Sequence, residues 1–294
     1  MSGNFNPVAL IASNLGTVLS NTYSDYFGHR KPEYASYVGG AARLALERIG
    51  NSNALYHDVN HTVMVTLCGQ QIIMGRLMSE ALTPEDWLHF TIGTLMHDIG
   101  YVRGICSADT KTRFVINEDG ETITPPRGAS DAFLTPYHID RGKIYSRERF
   151  LKSTYIDEER ICEMIEMTRF PIPQNEVHQS TTSEGALVRA ADLIGQMGDP
   201  FYHRKSNALY AEFLECGVVD QLGYESPADL SDKYPDFFWN SVEPFIGPAL
   251  EYLKLTTDGK LWIANLYANL FEIEHATHHI GPFPGLREQQ ATRG

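Results

Sequence analysis

The sequence predicts an all-α fold that carries one small β-hairpin, and three observations support this prediction. Apolar residues recur at helical spacing through most of the chain, as they do between residues 61 and 82. Strong helix-start signals precede several of these segments. Only one long stretch breaks the helical pattern, and within it a short alternating segment predicts a hairpin near residues 112–125.

The first three predicted helices follow from their apolar patterns. Residues 6–28 and 32–49 each carry an amphipathic pattern that is typical of a scaffold helix. Residues 61–82 form a longer and more apolar helix, for which Asp58 or Asn60 is a suitable N-cap.

The fourth helix has the clearest boundaries in the sequence. Thr83 is a good N-cap, Pro84 suits the first helical position, and two acidic residues follow. Gly100 is expected to terminate the helix. Residues 103–136 then form a long loop, in which a turn at Asp119-Gly120 joins the two predicted strands.

Helical patterns resume after the loop. Ser183 is a suitable N-cap for one of these helices, and an acidic first turn favours another. The last helix carries an apolar stripe, including Leu261, Leu266 and Phe271, that is expected to face the core. The later helices are predicted over residues 138–153, 157–169, 183–197, 207–216, 235–256 and 260–276.

Composition sets the class of protein. The 294 residues suit one domain over residues 1–277, followed by a loosely ordered tail over 278–294. A net charge of −13 argues against a nucleic-acid partner, which would require clustered lysine and arginine. No run of about 20 apolar residues indicates a membrane span, and no signal peptide is evident, so we expect a cytoplasmic protein. The four cysteines form no CxxC motif and are expected to be free thiols.

Histidine and aspartate residues in apolar helical segments indicate a metal site. His61 opens one predicted helix, His97-Asp98 closes the next, and Asp192 lies on a later one. A buried carboxylate is costly unless it is paired or binds a cation. Imidazole and carboxylate ligands together suit iron, manganese, zinc or nickel. We therefore predict that these four residues bind one divalent metal ion tightly.

This pattern resembles the H…HD…D signature of the HD-domain metal-dependent phosphohydrolases. Within that superfamily, Tyr56-His57-Asp58-Val59-Asn60-His61 resembles the Tyr-His-Asn-x-x-His motif of the cyclic-nucleotide phosphodiesterases. The segment 211–217, which starts Ala-Glu-Phe-Leu, is similar to that group as well. The chain departs from the group at Asp58, where the group has asparagine, and at Tyr101, where it has a second histidine. The glutamine and phenylalanine with which the group grips its substrate have no identifiable counterparts.

The resemblance implies an HD-type helical fold and a phosphohydrolase that cleaves a phosphate ester or phosphodiester of a small nucleotide-like substrate with metal-activated water. It also implies that His57 is the general acid, with Asp58 and Asp98 as further catalytic residues. His138, Tyr101 and Arg103 are expected to contact the substrate. Arg127 in the loop is an alternative phosphate ligand to Arg103.

The number of metal ions separates two enzyme hypotheses. In HD proteins with two ions, further histidines follow the His-Asp pair, and His138 with Gly142 fits the first of these positions. Residues 165–170 lack the next histidine, and His178 lies in a loop beyond two prolines. A second ion would therefore be loosely bound, and most of its ligands would be water molecules, which suits Mg²⁺ or Mn²⁺. This favours hydrolysis over the alternative of a di-iron oxygenase. A non-catalytic nucleotide-sensing domain and a homodimer both remain open.

Overall fold

The computed structural model describes residues 6–275, and these residues are mostly helical. The predicted fold class is confirmed at this level, because the described chain combines many helices with one two-stranded hairpin. The helices are α1 (Pro7–Phe27), α2 (Glu33–Ile49), α3 (Val59–Ser79), α4 (Pro84–Met96), α5 (His138–Phe150), α6 (Glu158–Met167), α7 (Glu176–Gln179), α8 (Glu184–Met197), α9 (Tyr202–Glu215), α10 (Val218–Leu222), α11 (Pro227–Asp232), α12 (Tyr234–Phe237), α13 (Glu243–Leu253) and α14 (Thr257–Glu274).

The hairpin lies in the long loop between α4 and α5. Strands β1 (Phe114–Val115) and β2 (Thr122–Ile123) pair antiparallel, so that Phe114 faces Ile123. The turn falls at the predicted Asp119-Gly120 position. The predicted hairpin insertion is therefore confirmed.

Helices α3, α4, α6 and α8 pack against one another and form the centre of the molecule, and α1 and α2 pack as a pair beside them. The contact between α3 and α8 is especially close at Gly195. A Cβ atom at that residue would lie only 2.9 Å from the Cα of Val65. His61 lies one turn before Val65, and Asp192 lies one turn before Gly195. The close contact between the helices therefore lets His61 and Asp192 face each other.

The segment after α4 corrects the predicted role of Gly100. The α-helix ends at Met96, and Ile99–Tyr101 form a 3-10 turn in which Gly100 is buried. A Cβ atom on Gly100 would lie 1.9 Å from the backbone oxygen of His138. Glycine is therefore required here because α5 packs directly against this turn, rather than because the helix must stop.

Arg141 fastens the loop insertion to α5. Its guanidinium is fully buried and donates hydrogen bonds to the backbone oxygens of Gly100 (2.8 Å), Val102 (2.9 Å) and Val115 (2.6 Å). The same group forms a buried ion pair with Asp109 at 2.9 Å. Since both ends of this pair are desolvated, removing one partner would leave an uncompensated charge.

Several boundaries of the later helices differ from the prediction. Residues 170–182, expected to be a loop, contain the short helix α7. Helix α9 begins five residues before the predicted start at 207. The single interrupted helix predicted over 235–256 is instead α12, a π-helical segment and α13. Short or irregular helices carry too few apolar repeats for periodicity to resolve them.

The last helix corrects the predicted core stripe. Leu266 and Leu270 are buried, but Leu261 and Phe271 are 59% and 62% exposed. Only one narrow side of α14 therefore faces the core. The tail predicted over residues 278–294 lies outside the described residues. No helix among the described residues is long and apolar enough to cross a membrane.

The contact between Gly100 and α5 gives a testable prediction for stability. Gly100→Ala should lower the free energy of unfolding by about 1–3 kcal/mol or more, since the added methyl overlaps the His138 backbone. Gly40→Ala is the matched control, because Gly40 is exposed in α2 and has open space around it. That change should raise the free energy by up to about 1 kcal/mol. Urea denaturation of both variants measures the difference, and equal stabilities would contradict the proposed contact.

Candidate metal centre

The first histidine of the centre is held by the start of α3. Asp58 is the N-cap, and its Oδ1 accepts a hydrogen bond from the backbone N–H of His61 at 3.0 Å. His61 is thereby fixed in the first turn of the helix, as predicted from the sequence, and its side chain is buried. Asp58 is thus the predicted N-cap of the helix that presents His61, and its predicted catalytic role stays a prediction.

The His-Asp pair follows the last turn of α4. The backbone oxygen of Thr94 lies 2.8 Å from His97 Nδ1. A carbonyl oxygen can only accept a hydrogen bond, so Nδ1 carries the proton. In the neutral imidazole, Nε2 therefore has a free lone pair, the form in which histidine binds metal ions.

Four side chains from three segments converge on one point. His61 Nε2 lies 3.1 Å from Asp98 Oδ2, 3.3 Å from Asp192 Oδ1 and 3.3 Å from His97 Nε2. His97 Nε2 lies 3.1 Å from Asp98 Oδ2 and 3.7 Å from Asp192 Oδ1. The structure thus brings together the four predicted metal ligands, although they are separated by as many as 131 positions in the chain.

The centre is built to hold a cation. Asp98 Oδ2 is buried and accepts no hydrogen bond of acceptable geometry, although both imidazole nitrogens lie 3.1 Å away. Lone pairs on nitrogen and oxygen repel at this distance unless a positive charge lies between them. Burial opposes a charged His61, yet Asp192 and Asp98 outweigh burial and raise the pKa of His61 to about 10. The site therefore favours a bound cation, either a proton or a metal ion.

The donor set fits a transition metal better than calcium. Ligand atoms of His61, His97 and Asp192 all lie within 4.8 Å of one another, as do those of His57, His61 and Asp98. Two imidazoles and two carboxylates offer mixed nitrogen and oxygen ligation. These buried groups can hold a metal ion, and their chemistry leaves its identity open among the metals expected from the sequence.

His57 lies beside the centre and is paired with Glu212. Its Nδ1 is 2.5 Å from Glu212 Oε2, and the other carboxylate oxygen accepts the backbone N–H groups of Tyr56 (2.6 Å) and His57 (3.3 Å). Burial disfavours a charged imidazole, but the Glu212 carboxylate outweighs burial and raises the pKa of His57. The protonated form required of a general acid is therefore stabilised. Glu212 lies in the segment 211–217 that resembles the phosphodiesterases, but the sequence alone does not predict its pairing with His57.

Tyr101 is stacked between two histidine rings. Its ring centroid lies 4.5 Å from that of His57 and 4.5 Å from that of His138. His138 Nδ1 faces the backbone oxygen of Thr135 at 2.5 Å, and its Nε2 lies 3.8 Å from Asp98 Oδ1. Burial lowers the pKa of His138, which favours its neutral form. Tyr101, which stands where the phosphodiesterase motif has a second histidine, thus presents an aromatic ring between His57 and His138.

A cavity opens from the metal centre between α8, α9 and the loop after α6. It has a volume of about 130 Å³, and His57, Asp98, His138, Asp192 and Tyr101 border it at the polar end. His138 and Tyr101, which were expected to contact the substrate, both line this cavity, and their contact with a substrate stays a prediction.

Arg103, which was expected to contact the substrate, binds other groups of the protein. Its guanidinium pairs with Asp131 at 2.7 Å and donates to the backbone oxygens of Ala129 and Ser130. It therefore anchors the loop and lies outside the residues that line the cavity. Arg127 is exposed and does not line the cavity either.

The arginines that do line the cavity are Arg169 and Arg189. Arg189 is one turn before Asp192 on α8, and burial lowers its pKa to about 10. Arg189 begins the segment Arg-Ala-Ala-Asp that ends at the predicted ligand Asp192, but neither arginine is predicted from the sequence to contact the substrate. His178 lies away from the centre and faces Glu166 Oε1 at 3.3 Å.

A comparison with known protein families gives a match over most of the chain. A family model described as Npun_R2479-like matches residues 5–276. No curated protein and no solved structure matches the sequence. The matched region contains the whole metal centre and the cavity.

The metal content of purified variants distinguishes residues that bind the ion from residues that only lie near it. Asp98→Asn should abolish near-stoichiometric metal binding, because it removes the charge that lies between His61 and His97. Asp58→Asn is the matched control and should retain the metal, since asparagine caps a helix as well as aspartate does. Elemental analysis of the purified proteins measures both. Undiminished metal in Asp98→Asn would rule out the assigned ligand set.

Proposed function

The chain belongs to the Npun_R2479-like family, and we propose that it is an HD-type metal-dependent phosphohydrolase that cleaves a phosphate ester or phosphodiester. One observation carries the proposal, namely the convergence of His61, His97, Asp98 and Asp192 beside a cavity that His57 also borders. The resemblance to the HD signature and the helical architecture both support it.

The residues divide into two groups with different roles. His61, His97, Asp98 and Asp192 would hold the metal ion. When bound, the ion polarises the phosphoryl oxygen and lowers the pKa of the attacking water. The attacking water loses a proton to solvent and its oxygen bonds to phosphorus, while the bond from phosphorus to the leaving oxygen breaks.

His57 completes this reaction as the general acid. Its Nδ1 is held by Glu212, so Nε2 is the nitrogen that is free to donate a proton to the leaving oxygen. The alcohol then leaves in neutral form instead of as an alkoxide. A positioned general acid of this kind typically contributes about 10²- to 10⁴-fold in rate.

The ligands around Asp98 favour hydrolysis over the alternative of a di-iron oxygenase. Beyond the four convergent ligands, His138 is the histidine that lies nearest the second oxygen of Asp98, at 3.8 Å. A second ion there would share Asp98 and depend on water for most of its other ligands. Loosely held Mg²⁺ or Mn²⁺ suits such a position better than an iron that must bind oxygen.

His57→Ala provides the first test of the proposed chemistry. The variant should keep its metal and release phosphate about 10²- to 10⁴-fold more slowly from a phosphate ester. His29→Ala, which changes an exposed histidine far along the chain from the site, is the control and should behave as the unchanged protein. Oxygen uptake is recorded in parallel. Unchanged turnover in His57→Ala would exclude the general-acid role, and metal-dependent oxygen consumption would favour the oxygenase.

Glu212→Gln tests the pairing through the pH dependence of the rate. Glutamine can still accept the backbone hydrogen bonds, but it removes the negative charge that raises the pKa of His57. A general acid is active while protonated, and its activity is lost as pH rises through its pKa. The alkaline limb of the profile of kcat/KM should therefore move to lower pH. An alkaline limb at the same pH in both proteins would show that Glu212 does not tune His57.

A further inference from the structure

The cavity beside the metal centre has two chemically different ends. The polar end is formed by Asp98, Asp192, His57 and His138, where the phosphoryl group would bind. The opposite end is contributed by α9 to α12 and by the loop after α6, and it is mainly apolar, although Gln221 also lines the cavity. Its walls include Phe170, Leu209, Phe213, Leu222, Leu230 and Phe237.

A tyrosine in this wall presents its ring rather than its hydroxyl group. The hydroxyl of Tyr234 donates a hydrogen bond to the backbone oxygen of Met197 at 3.1 Å, and the side chain is almost fully buried. Leu209 and Leu230, which also line the cavity, are buried as well. A substrate group at this end of the cavity would therefore meet mainly carbon.

Arg169, which lines the cavity near Phe170, is already neutralised. Its Nε lies 2.5 Å from Glu166 Oε1, and one terminal nitrogen lies 2.9 Å from Asp140 Oδ1. Lys143 joins the same network, with Nζ 2.7 Å from Glu166 Oε2. Two cations and two carboxylates cancel, so the network carries little net attraction for a second anionic group.

Arg189 is also engaged within the protein. Its terminal nitrogens donate to the backbone oxygens of His178 and Ser180, both at 2.6 Å, and its guanidinium lies over the ring of Phe245 at 4.4 Å. These contacts tie the α7 loop to α8. The two terminal nitrogens therefore support the wall of the cavity, while Nε is buried without a hydrogen-bond partner.

The volume of the cavity limits the size of the apolar group. At about 130 Å³, it is similar to an apolar protein cavity of roughly 150 Å³ that takes up benzene. Pockets for larger ligands typically reach about 300–1,000 Å³. The enclosed space thus suits a small substrate, and a whole nucleoside would extend beyond it.

We propose that the substrate is a phosphate monoester of a small apolar alcohol, with a single phosphoryl group at the metal and a ring or short chain in the apolar end. This inference rests on the proposed hydrolytic function. It differs from the nucleotide-like substrate expected from the sequence, because the cavity is small, its far wall is mainly apolar, and both of its arginines bind other groups of the protein.

A series of straight-chain alkyl phosphates tests the inference on the full-length, Mn²⁺-loaded protein. Their leaving alcohols have similar basicity, so differences in kcat/KM report contact with the wall rather than intrinsic reactivity. From ethyl to hexyl phosphate, kcat/KM should rise about fourfold per methylene until the cavity is full, the factor that corresponds to ~0.8 kcal/mol per buried methylene. Glycerol phosphate and adenosine monophosphate should be poorer substrates than butyl phosphate. A flat series, or a preference for adenosine monophosphate, would overturn the inference.

Two wall variants and one control locate the effect in the cavity. Leu209→Ala and Leu230→Ala enlarge the apolar end and should move the best substrate to a longer chain. Leu214→Ala is the matched control, because Leu214 lies on the same helix as Leu209 but is 58% exposed. It should leave the preferred chain length unchanged. The same optimum in both wall variants as in the unchanged protein would contradict the inference.

Binding of alkylphosphonates distinguishes failure of the inference from failure of the proposed function. These compounds keep the phosphoryl group but have no ester bond to cleave. Isothermal titration calorimetry should show affinity that rises with chain length. If no ester is hydrolysed but this gradient is present, hydrolysis is wrong and the inference about the pocket stands. If affinity is independent of chain length, the inference fails whether or not esters are hydrolysed.

Discussion

The buried carboxylate of Asp98 is the constraint on which the site depends. One of its oxygens faces imidazole nitrogens from α3 and from the end of α4, and no hydrogen bond of acceptable geometry reaches it. Such an arrangement is unfavourable without a cation. The backbone contact of His97 strengthens this requirement, because it directs the lone pair of Nε2 towards Asp98. Metal affinity and fold stability are therefore expected to be linked through this one carboxylate.

The rest of the fold supports this geometry by close contacts. The absence of a side chain at Gly195 lets α8 approach α3, which places Asp192 next to His61. The absence of a side chain at Gly100 lets α5 approach the turn after the His-Asp pair, which places His138 near Asp98. Arg141 then fixes the insertion on the same helix. The distances at the centre thus depend on residues that make no contact with it.

The motif residues could be predicted from sequence because their chemistry and helical placement are local properties. The N-cap at Asp58, the start of α4 and the turn at Asp119-Gly120 follow from short-range rules, and the structure confirms them. The same local rules could not identify Glu212, since its pairing with His57 joins positions 155 residues apart. Nor could they show that Arg103 would form an ion pair with Asp131 and donate hydrogen bonds to two backbone oxygens.

The cavity could not be predicted from sequence for a related reason. Its walls combine short helices that periodicity did not resolve with a loop, so their apolar faces gave no common pattern. The presence of an arginine in the sequence near a predicted metal site also does not show that it binds substrate. Arginines near a metal site suggest phosphate binding, but whether an arginine is available depends on partners that only the folded chain brings together.

Anomalous diffraction at the absorption edge of the bound metal tests the central claim most directly. Crystals of the Mn²⁺- or Zn²⁺-loaded protein should show one strong peak, at about 2.0–2.2 Å from the ring nitrogens of His61 and His97 and from oxygens of Asp98 and Asp192. A fully occupied ion bound elsewhere would contradict the account. The account would also be contradicted if, in protein loaded with metal, the four side chains were hydrogen-bonded directly to one another with no ion between them.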